Sequence, residues 1–186
     1  YVINGQKVWT SRAAHSDLML LLARTTPRDQ VEKKTDGIST FLIDLNEAQK
    51  QGCTITPIKA MINHNTTEVF FDNLWIPGDS LIGEEGKGFR YILDGMNAER
   101  ILISAEGLGD CKFFIDKGVA YSKERVVFGN PIGQYQGIQF PLAKAYAEAQ
   151  AADMMARKAA ALFDAGLPCG AEANMAKHLS AEAAWA

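Results

Sequence analysis

Glu99 and Arg100 place a carboxylate beside a guanidinium near the start of a long helical pattern. A carboxylate can remove a proton, and partial desolvation tunes its basicity. Trp9 is followed by two hydroxyls, Thr10 and Ser11. A large aromatic with hydroxyls at a strand end can stack on a planar ring system and hydrogen-bond its nitrogens. Arg125 lies just before Phe128, and such a pair can grip a phosphate and pack on a ring. Each group also has a plain reading. A helix-surface glutamate pairs with a Lys or Arg one turn away. A tryptophan fills a core while its neighbouring hydroxyls sit in a loop. A helix-end arginine makes a surface ion pair.

Other chemistries find little support. Gly83-Glu-Glu-Gly86-Lys-Gly88-Phe89 is glycine-rich but lacks the Gly-Lys-Ser/Thr ending of a phosphate loop and the spaced glycines of a dinucleotide fold, so it reads as an ordinary hinge. His15, His64 and His178 are scattered, and none pairs with a cysteine at ligand spacing, so no metal site is expected. No serine sits in a nucleophile-elbow context. Cys53, Cys111 and Cys169 are odd in number and far apart, which argues against a disulfide framework and for a reducing compartment.

The elements that must position these groups fall into two halves, 1–86 and 87–186. The 186 residues are 47% hydrophobic with a formal net charge of -3, ordinary for a globular chain and no electrostatic reason to expect nucleic acid. No apolar run approaches the roughly 20 residues of a membrane-spanning helix. The first half reads as β structure. Asn4-Gly5 is the dipeptide favoured in tight hairpin turns. Strands are expected at 18–23, 38–45, 54–58 and 68–75, with a polar loop over 25–37. Strands at this spacing without intervening helices indicate an antiparallel sandwich or barrel.

After the glycine-rich segment the period becomes helical. Ile101, Ala105, Leu108, Cys111, Ile115 and Val119 form one face of a helix ending near Glu124. Ile138, Leu142, Ala145, Ala149, Ala152, Ala156, Ala159 and Phe163 form a heptad seam on a second helix. Gly166-Leu-Pro168 stops it, and a third helix begins near Ala171. The fold class is therefore α+β, a β-barrel or sandwich followed by an up-down helical bundle. Tyr1 lies inside a strand pattern and Ala186 inside a helix pattern, so the expected object is part of a longer chain.

Three ordered motifs resemble the acyl-CoA dehydrogenase family. They are Gly5-Gln-Lys7-Val-Trp9-Thr-Ser11, then Glu68-Val-Phe-Phe-Asp72-Asn-Leu-Trp-Ile-Pro77 with Leu81-Ile-Gly83, then Arg125-Val-Val-Phe128-Gly129-Asn-Pro-Ile132 continuing to Gln136 and Phe140. The resemblance covers essentially the whole chain. It implies that Trp9 packs against the flavin of FAD and that Ser11 hydrogen-bonds near N5, a position where threonine is usual. Thr10 replaces a common aliphatic there. It implies that Arg125 reaches the FAD pyrophosphate, held mainly by a neighbouring subunit, and that Phe128 and Gln136 line that site. Asn97 and Arg100 fall where the family contacts acyl-CoA.

Met96-Asn-Ala-Glu99-Arg100 is similar to a subset of the family that carries its proton-abstracting glutamate on this helix. Most members carry that glutamate on a later loop, which would lie beyond Ala186, and both placements stand open at this point. The implied reaction oxidises a saturated acyl-CoA to the trans-2-enoyl-CoA. An electron-transfer flavoprotein is the implied acceptor, a homodimer or homotetramer the implied assembly, and the bacterial cytoplasm or mitochondrial matrix the implied location. An acyl-CoA oxidase or flavin monooxygenase on the same scaffold is the nearest rival. A non-catalytic helical oligomerisation module is the rival of another class, but such a module has no need of the Trp9, Arg125 and Gln136 set.

Overall fold

A computed structural model describes every residue except Asn63 and His64, so the reading of His64 lies outside the described residues. The chain forms two compact units, Tyr1–Leu93 and Asp94–Ala186. The first holds β1 (Val2–Ser11), β2 (Leu18–Arg24), β3 (Ile38–Asp44), α1 (Leu45–Ala48), β4 (Cys53–Pro57), β5 (Thr66–Trp75) and β6 (Leu81–Ile82). Two three-stranded antiparallel sheets result, ordered β1-β5-β4 and β2-β3-β6. Of the two expected forms, no closed barrel is present: the described sheets share no strand. Lys7 Nζ instead donates to the Leu22 carbonyl at 2.9 Å, a side-chain link from β1 to β2. Leu21, Phe41, Val69 and Leu74 form the centre of the core, each at most 2% exposed. Burying side chains of this kind contributes about 1.5–3 kcal/mol apiece.

Asn4-Gly5 does not make a hairpin. β1 runs through it and pairs with β5, with Asn4 69 residues from its contact Asn73. The register slips here, with Ile3 opposite Leu74 but Gly5 opposite Phe71, so β5 carries one extra residue. Asn73 takes φ 51 at the bulge. Its backbone N–H donates to Asn4 Oδ1 at 2.8 Å, and Asn4 Nδ2 donates to Asn73 Oδ1 at 3.2 Å. The turn-forming tendency of Asn4 is thus met by a side-chain contact across the ladder. The bulge also resets the two-residue period, so Phe71 and Leu74 both face the core.

The loop after β2 is closed at its base by the N–H groups of Thr25 and Thr26, which donate to the Gly37 carbonyl, and further along by one side chain. The Arg24 guanidinium donates to the carbonyls of Thr26, Lys34 and Asp36 at 3.3, 2.7 and 2.9 Å. A planar fork with five N–H groups suits several acceptors at once.

The second unit contains most of α2 (Gly88–Glu124), then β7 (Val126–Val127), β8 (Asn130–Pro131), α3 (Gln136–Asp164) and α4 (Gly170–Trp185). The structure has the mixed α+β character expected, with sheets first and helices after. Ala152, Ala159, Ala173 and Ala176 are 0% exposed, and Ala149 and Ala156 are buried beside them. Ile101, Leu108 and Met155 pack around Ala156, Ala159 and Ala176, while Ala149 clusters with Cys111 and Ala183. Phe163, expected in the same seam, is 43% exposed.

On α2 the buried stripe differs from the expected one. Ala105 is exposed, while Ser104 is fully buried. Ser104 Oγ donates to the Arg100 carbonyl at 2.8 Å, so its burial leaves no unmet polar group. A Cβ at Gly107 would stand 3.3 Å from the Ser180 carbonyl oxygen, which marks a close approach of α2 and α4. The three cysteines are free and buried, and burial pushes the Cys53 and Cys111 thiols up.

The end of α3 is as the sequence suggests. Gly166 takes φ 67, its N–H donates to the Phe163 carbonyl at 2.9 Å, and Leu167 N–H donates to the Leu162 carbonyl at 2.9 Å. These two bonds are the Schellman pattern, in which a left-handed glycine satisfies the last carbonyls.

The glycine-rich segment is hydrogen-bonded to β3 and to the loop before it. Gly86 N–H donates to Ser39 Oγ at 2.8 Å, and Gly37 N–H donates to the Gly86 carbonyl at 3.2 Å. Thr40 Oγ1 donates to the Gly88 carbonyl at 3.1 Å. Ser39 and Thr40 are buried by this contact. A Cβ at Gly88 would lie 2.4 Å from both the Ser39 carbonyl carbon and the Thr40 nitrogen. The obstacle is backbone, so no side-chain rotation relieves it. Gly88→Ala is expected to destabilise the protein by about 1–3 kcal/mol or more, read as a lower urea midpoint with an unchanged slope. Gly78→Ala, where a Cβ meets nothing within 4 Å, serves as the neutral control.

Candidate functional site

Trp9, Thr10 and Ser11 end β1 at a second irregularity. Lys7 pairs with Val69 and Thr10 with Thr67, so three steps on β1 face two on β5. The extra residue is taken up at Trp9, whose φ is 61. Thr67 Oγ1 donates to the Thr10 carbonyl at 2.8 Å, and Arg12, itself at φ 63, donates its N–H to the Asn65 carbonyl at 2.8 Å. These bonds fix the backbone on both sides of Ser11. A bulky residue with positive φ is a true outlier, costing of order 1–3 kcal/mol. Trp9 gains little packing in return within this chain, because it is 68% exposed. Thr10 is partly buried and Ser11 exposed.

The second patch lies on α2. Glu99 is exposed, and among the described residues no ion pair or hydrogen bond holds its carboxylate. The one-turn salt bridge considered from sequence is absent among the described residues. Asn97 and Arg100 are partly buried, and Arg100 Nη1 donates to Asn97 Oδ1 at 3.2 Å. Asn97 also meets the start of α4: a Cβ at Gly170 would lie 3.8 Å from Asn97 Nδ2.

The third patch follows α2. Phe128 and Gly129 connect β7 to β8 with φ of 53 and 83. Positive φ at both loop positions is the type I′ pattern, which favours Asn-Gly. Here a phenylalanine occupies the first position, 93% exposed. Ile132 N–H donates to the Arg125 carbonyl at 2.8 Å, and the Tyr135 hydroxyl donates to the Val127 carbonyl at 2.8 Å. The Arg125 side chain is exposed and enters no ion pair among the described residues. Gln136 is exposed at the first position of α3.

The structure thus joins Arg125, Phe128 and Gln136 through one hairpin and its return to α3, and joins Asn97 to Arg100. Trp9, Thr10 and Ser11 belong to the other unit. Sequence reasoning missed Tyr135 as the hairpin's tether and Arg12 as the bulge's second left-handed residue. Neither residue type signals such a role by itself.

Known proteins resemble the chain in both units. The family description "Acyl-CoA dehydrogenase, middle domain" matches residues 1–74, and "Acyl-CoA dehydrogenase, C-terminal domain" matches residues 86–186. An acyl-CoA dehydrogenase of Bacillus subtilis is 36% identical over 187 residues, covering 99% of this chain and 48% of the relative. Butyryl-CoA dehydrogenase from Megasphaera elsdenii, as a solved structure, has a TM-score of 0.86 at 30% identity, covering 98% of this chain and 47% of that one. A structure described as PigA with FAD and proline has a TM-score of 0.90 at 27% identity, covering 99% and 47%. The chain spans about half the length of these relatives. With matches running from residue 1 to residue 186 across both units, the chain belongs to the acyl-CoA dehydrogenase family.

Proposed function

We propose that the protein carrying this chain is an FAD-dependent acyl-CoA dehydrogenase that converts a saturated acyl-CoA to its trans-2-enoyl-CoA. One observation carries the reading. Trp9 and Phe128, the two aromatics that the family resemblance assigns to the flavin, are both exposed and both held at positive φ. Strained, solvent-facing aromatics do not stabilise this chain, and backbone strain of this kind concentrates at ligand sites. The solved relative with the FAD name supports the same cofactor.

The residues present fit FAD. The Trp9 indole offers an exposed face for stacking, and the Ser11 hydroxyl is exposed beside it. Arg125 offers a guanidinium that no carboxylate of the described chain occupies, suited to a pyrophosphate. Phe128 and Gln136 supply a ring and an amide on the same hairpin unit. Bound FAD supplies a hydride acceptor for the substrate β-carbon.

The chain's own chemical step is proton removal. Glu99 takes the substrate α-proton onto a carboxylate oxygen that no neighbour occupies, and Arg100 holds the acyl-CoA beside it. Thr10 and Ser11 orient the ring system with their hydroxyls. The wider proposals follow the family: a homodimer or homotetramer sharing its FAD sites, an electron-transfer flavoprotein as acceptor, and the bacterial cytoplasm or mitochondrial matrix as location.

Two tests address these roles in the full-length flavoprotein. Glu99→Gln should bind acyl-CoA normally and lose about 10²- to 10⁴-fold in anaerobic flavin bleaching. Normal bleaching by the variant would move the base elsewhere, and no bleaching of wild type by any acyl-CoA would sink the dehydrogenase reading. Phe128→Asn should create the favoured Asn-Gly turn, raising apoprotein stability by about 1 kcal/mol while weakening FAD retention. Tighter FAD binding by this variant would exclude Phe128 from the cofactor site.

A further inference from the structure

We infer that Thr67 is a positioning residue for the segment Trp9-Thr10-Ser11: its hydroxyl holds the point on β1 where a displaced strand register is restored. This inference rests on the proposed flavin site at Trp9 and Ser11. The carrying observation is a pair of bulges of opposite sense along one strand pair.

Val2 and Ile3 lie opposite Trp75 and Leu74. From Gly5 to Lys7 the pairing is displaced by one residue, because β5 carries an extra residue at the Asn73 bulge. Thr10 and Ser11, opposite Thr67 and Thr66, are back in the register of Val2 and Ile3. The second bulge therefore cancels the first, and Trp9 takes its φ of 61 at the step where the register returns. The displaced stretch is held at both ends. At its start Asn4 and Asn73 share two hydrogen bonds, at 2.8 and 3.2 Å. At its end Lys7, the last residue paired before Trp9, donates from Nζ to the Leu22 carbonyl at 2.9 Å. With nothing holding Thr10, the displaced register would run on along β1, and Trp9 would return to extended backbone.

Thr67 supplies that hold. It is 1% exposed, and its Oγ1 donates to the Thr10 carbonyl at 2.8 Å. The strand beneath it is itself fixed. β5 pairs with β4 without interruption from Phe71 opposite Cys53 to Thr67 opposite Pro57, and the Ile58 N–H donates to the Thr66 carbonyl at 2.9 Å. The hydroxyl therefore restrains β1 from a steady base. The Arg12 N–H, bonded to the Asn65 carbonyl at 2.8 Å, holds the chain beyond Ser11, on the side away from Trp9. A valine at Thr67 keeps a branched side chain in the core but has no donor. The strain at Trp9 is then free to spread into Thr10 and Ser11, and the Ser11 hydroxyl loses its fixed orientation toward the ring system. A hydrogen bond of ordinary strength corresponds to about tenfold in an equilibrium constant.

The test uses the full-length flavoprotein with Thr67→Val, Thr67→Ser and Thr67→Cys. FAD affinity, the flavin absorbance bands and the flavin reduction potential are measured beside thermal stability. Hydrogen bonding and packing give opposite orders: Thr67→Ser keeps the donor and loses a methyl group, while Thr67→Val keeps the branched shape and loses the donor. Expected is FAD binding like wild type for Thr67→Ser and about tenfold weaker binding with shifted flavin bands for Thr67→Val. Thr67→Cys should fall between them, because its S–H is a weak donor. The band shift of Thr67→Val should shrink in the Ser11→Ala background, since Thr67 acts through that segment. A greater loss from Thr67→Ser than from Thr67→Val would overturn the inference and leave Thr67 a core-filling residue. Unchanged bands and affinity in Thr67→Val would overturn it too. If Thr67→Val does not fold, the remaining pair decides: Thr67→Cys must bind FAD more weakly than Thr67→Ser, and equal or tighter binding overturns the inference. Failure of the flavin reading itself shows separately, as a wild type that retains no FAD or a Ser11→Ala variant with unchanged bands, and either result removes this inference with it.

Discussion

Close approach of backbone to backbone is the constraint on which both units depend. Gly88 rests on the Ser39–Thr40 peptide of β3 with no room for a Cβ. In the helical unit the contact is looser, with a Cβ at Gly107 standing 3.3 Å from the Ser180 carbonyl oxygen, and a seam of alanines does the rest. Large side chains at these points would push the elements apart, and glycine's usual cost in a helix is outweighed by the contact it permits. The polar groups brought inside are met locally: Ser39 by Gly86, Thr40 by Gly88, Ser104 by Arg100.

Against this economical packing, the aromatics at Trp9 and Phe128 stand out as expenditure on something other than stability. Both occur where a strand pairing is interrupted, one by a bulge and the other by a tight turn. Both interruptions are fixed by hydrogen bonds from neighbouring residues, Thr67 and the left-handed Arg12 in one case and Tyr135 in the other. The scaffold determines the backbone, and the aromatic is left with its face in solvent.

Much of the fold was legible because period and burial coincide. The strand at 18–23, the alanine seam of α3 and its glycine stop all follow from residue spacing, as the Schellman bonds at Gly166 illustrate. Failures came where a side chain changed the meaning of a local signal. Asn4-Gly5 reads as a turn until Asn73 answers it from β5. Ala105 reads as seam until Ser104, by bonding its own helix, becomes the residue that can be buried. The site residues were legible only through family resemblance. Periodicity says nothing of the positive φ at Trp9, and the link from Asn97 to Arg100 is invisible until the helix face is known.

The clamp at Arg24 has a consequence for how this protein can vary. One guanidinium gathers three carbonyls of the 25–37 segment, and carbonyls are present whatever the side chains are. The loop's shape is therefore largely indifferent to its own composition. Substitutions between Asp29 and Lys33 leave these three carbonyl bonds in place, because none of the acceptors is a side chain. A lysine there, a point charge on a flexible stem, would not hold the same three acceptors, and the backbone bonds from Thr25 and Thr26 to Gly37 would be left to close the loop at its base alone.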